Sequence, residues 1–217
     1  LYPASATKIM TGIVVLESYG LDEYVEVPQL SISGSSMKLY VGEKISVKNL
    51  LYGLLINSGN DAAEALAAHF SDGGREGFVE RMNYKASEIG LRNSKFENPA
   101  GLHHESHKVS AWDLGYLAAY AMRNKTFSEI VKIRETTVYG MNRERHVLKS
   151  TNKLLGAVSG LEGVKTGFTD EAGEVLVSSV VRDNRRVVFV VLKSNDRFGE
   201  TKKLVEWVYS NHEWRKF

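Results

Sequence analysis

A serine and a lysine stand three residues apart near the start of the chain, in the stretch PASATKIMTGIVVLE. Positions three apart share one face of a helix, so the Ser5 hydroxyl and the Lys8 amine can meet. A serine hydroxyl becomes a good nucleophile when a base removes its proton. A lysine acts as that base only if burial or a neighbouring cation lowers its pKa. The pair therefore indicates either nucleophilic catalysis or an ordinary solvated helix start.

Two further stretches carry side chains suited to proton transfer and anion binding. Ser58 to Asn60 (SGN) falls at a break between two apolar segments, and Lys165 to Gly167 (KTG) falls at the end of a predicted strand. Read locally, the first is a helix N-cap and the second is a strand terminus followed by a turn. In this order, however, the three stretches match the motif set shared by class A β-lactamases and penicillin-binding proteins.

The spacing of apolar residues predicts the elements that position these motifs. Residues 23–47 hold short β-prone pieces (EYVEV, KLYV, KISV) broken by Pro28 and Gly34, which indicates loops and small strands. The Asp183-Asn184 pair indicates a hairpin turn. Helices are predicted over 5–19, around 50–55, and over 62–70, 78–89, 110–123, 126–133 and 199–209. Strands are predicted over 161–166, 174–181 and 186–193, so the whole reads as one mixed α/β domain.

Composition excludes several classes of function. The chain has 217 residues, enough to bury a sizeable core. Its formal net charge of +2 provides no strong basic field for a nucleic-acid partner. It contains no cysteine, which excludes disulfides and thiolate chemistry. No apolar run in the sequence approaches the roughly 18 residues that a transmembrane helix needs.

The sequence around the motifs narrows the resemblance to one family. PASATKIMTG, KISVKNLLYGLLINSGNDAAEALA, NPAGL and GVKTGFTDEAG resemble the serine D-alanyl-D-alanine carboxypeptidases, the low-molecular-mass penicillin-binding proteins. The resemblance implies a β-lactamase/transpeptidase-like α/β fold, with an antiparallel sheet flanked by helices and an all-helical region. It also implies an extracytoplasmic enzyme that removes the terminal D-Ala from peptidoglycan stem peptides and is acylated by β-lactams. It implies no metal or other cofactor.

Carried onto this sequence, the resemblance assigns four catalytic residues. Ser5 would be the nucleophile that forms an acyl-enzyme, and Lys8 would be its general base. Ser58 and Lys165 would form a second pair that delivers a proton to the leaving D-Ala. The charge of Lys165 would also help to keep Lys8 neutral and would attract the terminal carboxylate of the substrate.

The resemblance also assigns the groups that hold the substrate. Asn60 would orient the substrate amide, and the Thr166 hydroxyl would hold the terminal carboxylate. Backbone N–H groups of Ser5 and Phe168, the latter next to Gly167, would form an oxyanion hole. Losing one donor from such a hole typically lowers the rate by about 100- to 1000-fold.

Two clusters outside the motifs are expected to be structural. The LHHESH stretch, residues 102–107, lacks the H-E-x-x-H spacing, and no obvious carboxylate or cysteine completes a metal site, so we expect a loop. An aromatic group near the end of the chain is expected to pack the last helix on the sheet rather than to contact a membrane. It comprises Trp207, Tyr209 and Trp214.

The sequence departs from the family pattern in three places. Members usually have β-strands before the S-x-x-K helix, so we expect strands upstream of Leu1 in the natural protein, closing an edge of the sheet. Many members also carry a β-rich second domain and a membrane-anchoring tail further on. Residues 1–217 are thus predicted to be the penicillin-binding D,D-peptidase catalytic domain without that second domain. Finally, Glu174 stands where the family often has an aromatic residue.

Three rival functions are consistent with parts of this pattern. A class A β-lactamase needs a loop carboxylate for deacylation, and the nearest candidate, Glu88, lies in a helix-like stretch. D,D-endopeptidase action on cross-links would use the same residues as carboxypeptidase action. A catalytically silent peptidoglycan-binding module is the third, although three intact motifs argue against it.

Overall fold

The S-x-x-K stretch begins as a single 3₁₀ turn, Ala4–Thr7, which runs directly into helix α1, Lys8–Ser18. The predicted helix over residues 5–19 is therefore confirmed, with a tighter first turn than an α-helix has. Every residue from Lys8 to Val15 is buried. A helix that is buried on all sides belongs to a core, so the half-buried Ser5 lies in the turn that leads into a core helix.

The computed structural model describes residues 1–213, and Trp214 lies outside them. Each predicted helix is confirmed. After α1 the helices are α2 (Val47–Leu55), α3 (Asn60–Ala68), α4 (Gly74–Glu88), α5 (Ala111–Ala121), α6 (Lys125–Ile130) and α7 (Arg197–Asn211). The strands are β1 (Tyr24–Glu26), β2 (Lys44–Ser46), β3 (Glu135–Tyr139), β4 (Arg145–Lys149), β5 (Leu161–Thr169), β6 (Gly173–Arg182) and β7 (Arg185–Ser194).

The three late strands form an antiparallel sheet in the order β5-β6-β7. The predicted hairpin is confirmed, because Asp183 and Asn184 join β6 to β7 with φ of 49° and 60°, as a tight turn between antiparallel strands requires. Alternate β6 residues face two cores: Val175 and Val177 join the large helical core, whereas Leu176 packs in the cluster that includes Val205 of α7. Helices thus cover both faces of the sheet, as predicted.

Two β predictions need correction. Strand β5 does not end at Thr166 but continues to Thr169, so K-T-G lies within the strand and not at its end. The β3–β4 hairpin was missed, because its strands consist mostly of charged and half-exposed residues that give little apolar signal. Of the β-prone pieces in 23–47, EYVEV and KISV supply β1 and β2, whereas KLYV is not a strand.

Helix α7 packs on β6 and β7, as expected for the terminal helix. Tyr209 takes part in this packing, but the expectation is wrong for Trp207, which is 56% exposed. Within residues 1–213, β7 pairs only with β6, and the strands expected upstream of Leu1 stay a prediction. None of the helices in the described part of the chain is long and apolar enough to cross a membrane.

Candidate active site

Ser5 lies in the 3₁₀ turn and Lys8 is the first residue of α1, so the tight turn brings the two side chains together. The Lys8 Nζ atom is 3.0 Å from Ser5 Oγ. Ala4, just before the serine, has a φ of +47°, a left-handed conformation that non-glycine residues seldom adopt and that is often found at functional sites. The pairing predicted from the three-residue spacing is confirmed.

The hydrogen bonds of Lys8 suit a neutral amine facing the serine. Besides Ser5 Oγ, Lys8 Nζ contacts Asn60 Oδ1 at 2.6 Å and the Ala100 carbonyl oxygen at 2.6 Å. Those two oxygens can only accept. A neutral amine would therefore donate its two N–H groups to them, and its lone pair would face the Ser5 hydroxyl. Lys8 is thus placed to take the serine proton.

Burial and neighbouring charge both favour that neutral form. Burial lowers the pKa of Lys8 well below its ordinary value, and the Lys165 ammonium lowers it further, against the opposing effect of Glu64 and Asp61. Burial, followed by the charge of Arg197, lowers the pKa of Lys165 to about 7. Lys165 can therefore exchange a proton near neutral pH, and Lys8 is neutral at a lower pH than an ordinary lysine.

The SGN stretch forms the connection from α2 to α3 and presents two side chains to the cleft. Ser58 is buried and has a φ of +62°. Neither Ser58 nor Asn60 caps α3, since the N-cap is Gly59 and no side chain caps the helix there. Asn60 is held on both sides, because its Oδ1 accepts from Lys8 and its Nδ2 donates to the Ser33 carbonyl at 2.6 Å. Here Asn60 positions the lysine.

The K-T-G residues lie where β5 passes the 3₁₀ turn. A Cβ atom at Gly167 would be 3.0 Å from both the Ser5 backbone nitrogen and the Pro3 carbonyl oxygen, so glycine permits this close approach. The Lys165 Nζ atom donates to the Thr166 carbonyl at 3.1 Å. No hydrogen bond joins Lys165 to Ser58, and the proton relay assigned to that pair stays a prediction.

The predicted site residues surround a cleft of about 340 Å³. Six predicted residues line it: Ser5, Ser58, Asn60, Thr166, Gly167 and Phe168. The two lysines, Lys8 and Lys165, are almost fully buried. All eight residues named from the motifs therefore belong to one place, although they come from three distant parts of the chain.

The sequence reasoning missed four polar side chains that line the cleft, namely Ser35, Thr151, Thr169 and Arg197, and two of these contact K-T-G. The Thr151 hydroxyl bonds the Thr166 hydroxyl at 2.5 Å. Arg197, at the start of α7, donates from Nη1 to the Gly167 carbonyl oxygen at 2.7 Å. Neither residue stands in a motif, and only the packing of distant segments brings them to K-T-G.

The N-P-A-G-L turn also contributes to the site. Asn98 Oδ1 accepts the backbone N–H groups of Gly101 at 2.7 Å and Leu102 at 3.0 Å. This turn aims the Ala100 carbonyl at Lys8. A Cβ atom at Gly101, which has a φ of +84°, would be 1.9 Å from the Ala4 carbonyl oxygen. Sequence reasoning used this turn only as part of the resemblance, but the turn is a wall of the site.

The histidine-rich loop after that turn has a structural part. His107 is buried, and its Nε2 atom lies 3.0 Å from the Thr7 hydroxyl. His103, by contrast, lies 3.9 Å from the Glu171 carboxylate. Among residues 1–213 no three His, Cys, Asp or Glu side chains are grouped to hold a metal ion. The expected loop is confirmed.

The comparison with protein families shows the family to which this chain belongs. The model of the peptidase family S11, D-alanyl-D-alanine carboxypeptidase, matches residues 1–196. The chain belongs to this family. Within it, the chain is 34% identical over 223 residues to the D-alanyl-D-alanine carboxypeptidase DacF of Bacillus subtilis, covering 98% of this chain and 57% of DacF. It is 36% identical over 227 residues to a D-alanyl-D-alanine carboxypeptidase of Streptomyces sp. K15, covering 95% of this chain and 78% of that relative.

Solved structures of family relatives share the fold. A serine-to-alanine mutant of the Streptomyces K15 DD-transpeptidase aligns with a TM-score of 0.91 at 33% identity, over 96% of this chain and 88% of that one. Penicillin-binding protein D2 of Listeria monocytogenes, in its ampicillin-bound form, aligns with a TM-score of 0.82 at 31% identity, over 95% and 86% of the two chains. The transpeptidase-like fold expected from the motifs is therefore confirmed. The chain spans little more than half the length of DacF.

The carboxylate considered for the β-lactamase reading does not belong to the cleft. Glu88 ends α4, where its carboxylate pairs with Lys85 at 2.5 Å and with Arg81 at 3.7 Å. It does not line the cleft around Ser5. In this family site, the deacylating water would need another partner than Glu88.

Proposed function

We propose that this chain is the catalytic part of a serine D,D-carboxypeptidase that removes the terminal D-Ala from peptidoglycan stem peptides. One observation carries the proposal: the buried Lys8 amine, with a lowered pKa, contacts the Ser5 hydroxyl at the floor of an open cleft. That arrangement supplies a nucleophile and its base without a histidine.

Acylation would proceed in two steps. The Ser5 Oγ atom attacks the carbonyl carbon of the penultimate D-Ala while its proton passes to Lys8 Nζ, and the carbonyl oxygen becomes an oxyanion. The backbone N–H groups of Ser5 and Phe168 would bind that oxyanion. The intermediate then collapses, the peptide C–N bond breaks, and the leaving D-Ala nitrogen takes a proton from Ser58, which Lys165 supplies.

Deacylation would reverse the roles with water as the nucleophile. Water attacks the acyl-enzyme ester, its proton goes to a basic group of the site, and the Ser5 oxygen leaves and is reprotonated. The shortened peptide is then released with a new carboxylate. A β-lactam would acylate Ser5 by the same first step, with opening of its ring amide. The ampicillin-bound relative supports this part of the proposal.

The K-T-G side of the cleft would recognise the substrate carboxylate. Thr166 and Arg197 both line the cleft, and the Arg197 guanidinium donates to the Gly167 carbonyl oxygen. Hydrogen bonds from cationic donors to carboxylates are among the stronger ones in proteins. This side of the cleft would therefore favour a peptide with a free C-terminus.

A peptidoglycan substrate would require the enzyme to act outside the cytoplasmic membrane, in the cell envelope, and we propose this location. A membrane anchor in a C-terminal segment beyond this chain would fit it, as the family resemblance implies.

Two measurements on the same chain test the proposal. Intact mass after incubation with a penicillin should rise by one adduct on wild type and not on Ser5→Ala. Release of D-Ala from a peptide ending in D-Ala-D-Ala should follow the same pattern. Rapid loss of the adduct would instead indicate a β-lactamase. Cleavage of cross-linked dimers without release of D-Ala would indicate an endopeptidase. If the chain neither forms the adduct nor cleaves a peptide, it is a binding module.

A further inference from the structure

Glu174 stands where the family often has an aromatic residue. It contacts Arg197, which lines the cleft. It lies opposite Phe168 in the β5–β6 register. Its Oε2 atom accepts the backbone N–H of Arg197 at 2.9 Å, and its Oε1 atom lies 3.9 Å from the Arg197 Nε atom. One carboxylate therefore contacts both the main chain and the side chain of Arg197.

We propose that Glu174 is a positioning residue for substrate recognition, which fixes Arg197 on the K-T-G side of the cleft, where the substrate carboxylate binds. This inference rests on the function proposed above, because it concerns how that substrate is held. It assigns a role to a carboxylate that does not itself line the cleft.

The main-chain contact fixes where Arg197 begins α7. The first N–H groups of a helix have no partner within the helix, and Arg197 is the first residue of α7. Asp196 accepts the N–H of Gly199, whereas Glu174 accepts that of Arg197. A carboxylate is also favoured at this positive end of the helix. Two acids from different segments thus anchor the helix start beside β5.

The side-chain contact leaves the arginine ready for a ligand. Nη1 donates to the Gly167 carbonyl oxygen at 2.7 Å. The Nε atom is buried without a hydrogen bond, near the Glu174 carboxylate. Nη2 makes no hydrogen bond with any residue in the described range 1–213. The guanidinium is therefore held on two sides, and a donor remains for an incoming carboxylate. A phenylalanine ring at position 174 could accept neither contact.

The same two elements provide a matched control. Arg182 on β6 and Glu206 on α7 also form an ion pair, with Nη2–Oε1 and Nη1–Oε2 distances of 2.7 and 3.2 Å. Neither residue lines the cleft. Glu206→Ala therefore removes an acid–arginine contact between β6 and α7 without touching the substrate site.

The test compares wild type, Glu174→Ala, Glu174→Gln and Glu206→Ala on two peptides ending in D-Ala-D-Ala, one with a free carboxylate and one with a carboxamide. For Glu174→Ala we expect kcat/KM on the carboxylate peptide to fall about tenfold, the size of one lost hydrogen bond to a charged group. The value for the carboxamide peptide should change less than about twofold, since that peptide offers Arg197 no charge. Glu174→Gln can still accept the Arg197 N–H, and its loss should be smaller.

These measurements distinguish a failure of the role of Glu174 from a failure of the proposed carboxypeptidase function. A wild-type chain that neither releases D-Ala nor forms a penicillin adduct would overturn both. An active wild type in which Glu174→Ala and Glu206→Ala have the same carboxylate preference would overturn the role of Glu174 alone. If Glu174→Ala does not fold, the comparison is made between Glu174→Gln and Glu206→Gln. The same ratio is measured, kcat/KM on the carboxylate peptide divided by kcat/KM on the carboxamide peptide.

Discussion

Lys8 and Lys165 are buried in the same site, but the protein holds them in different ways. Lys8 contacts three oxygens from three segments, namely Ser5, Asn60 and Ala100. Lys165 contacts one, the carbonyl oxygen of its neighbour Thr166. The Lys8 nitrogen therefore has a partner in three directions, whereas Lys165 has hydrogen-bonding capacity without a partner among the described residues.

The different surroundings of the two lysines suit them to different roles in one site. The contacts of Lys8 fix a single orientation toward the nucleophile, as a general base requires. Lys165 keeps unused hydrogen-bonding capacity and a pKa of about 7, which suits a group that meets the substrate or passes a proton to Ser58. The charge of Lys165 also lowers the pKa of Lys8, so the loosely held lysine tunes the tightly held one.

The largest expected effect comes from removing the tightly held lysine. Lys8→Met should lower the rate of acylation by a penicillin by about 100- to 10,000-fold, the range of a lost general base. Lys125→Met is the control, because Lys125 lies exposed on α6 and should acylate like wild type. Mass spectrometry of the adduct over time measures both. Rapid acylation of Lys8→Met would mean that another group deprotonates Ser5.

Removing the loosely held lysine should have a smaller effect and a distinct pH signature. Lys165→Met should lower acylation by about 100-fold, the lower end of acid–base effects. It also removes a neighbouring positive charge, so the pKa of Lys8 should rise and the alkaline limb of the pH–rate profile should move to higher pH. Lys165→Arg keeps a permanent positive charge beside Lys8, so its limb should not move to higher pH. An unmoved limb in Lys165→Met would show that the two lysines are not coupled.

A substitution at Thr166, the neighbour of Lys165, tests how the substrate carboxylate is held. Thr166→Val keeps the shape of the side chain and removes the hydroxyl, so kcat/KM on a peptide with a free terminal carboxylate should fall about tenfold. The Tm should change little, because the Thr151 hydroxyl, its partner in the folded protein, can turn toward the open cleft. Equal cleavage of carboxylate and carboxamide peptides by wild type would rule out the carboxylate-holding role.

The smallest effect concerns stability. The folded pKa of Lys165 is lowered to about 7, below its ordinary value of about 10.4 in an unfolded chain. Between these values the unfolded chain binds a proton that the folded one does not, so this residue makes stability rise with pH across that window and adds no slope below it. The Tm advantage of Lys165→Met over wild type should therefore shrink from pH 7 to pH 10. A constant difference would contradict the lowered pKa.

The motif residues show which features of the site can be predicted from the sequence. The Ser5–Lys8 contact follows from helical spacing alone, and the order of S-x-x-K, SGN and K-T-G indicated the family that the comparisons confirm. The helices expected on the two faces of the late sheet are likewise confirmed. These features are local or periodic, so neighbouring residues are enough to specify them.

Sequence patterns thus predicted the Ser5–Lys8 contact, the helices, the late hairpin and the family. They could not assign Arg197, Thr151 or the Ala100 carbonyl, nor explain Glu174. Those groups act through contacts between residues that are distant in sequence. Thr151 and Thr166 are 15 positions apart, Glu174 and Arg197 are 23 apart, and Lys8 and Ala100 are 92 apart. Only the packing of α7, the N-P-A-G turn and β5 around one cleft decides them, because burial, and with it the lowered pKa of both lysines, exists only once those segments meet.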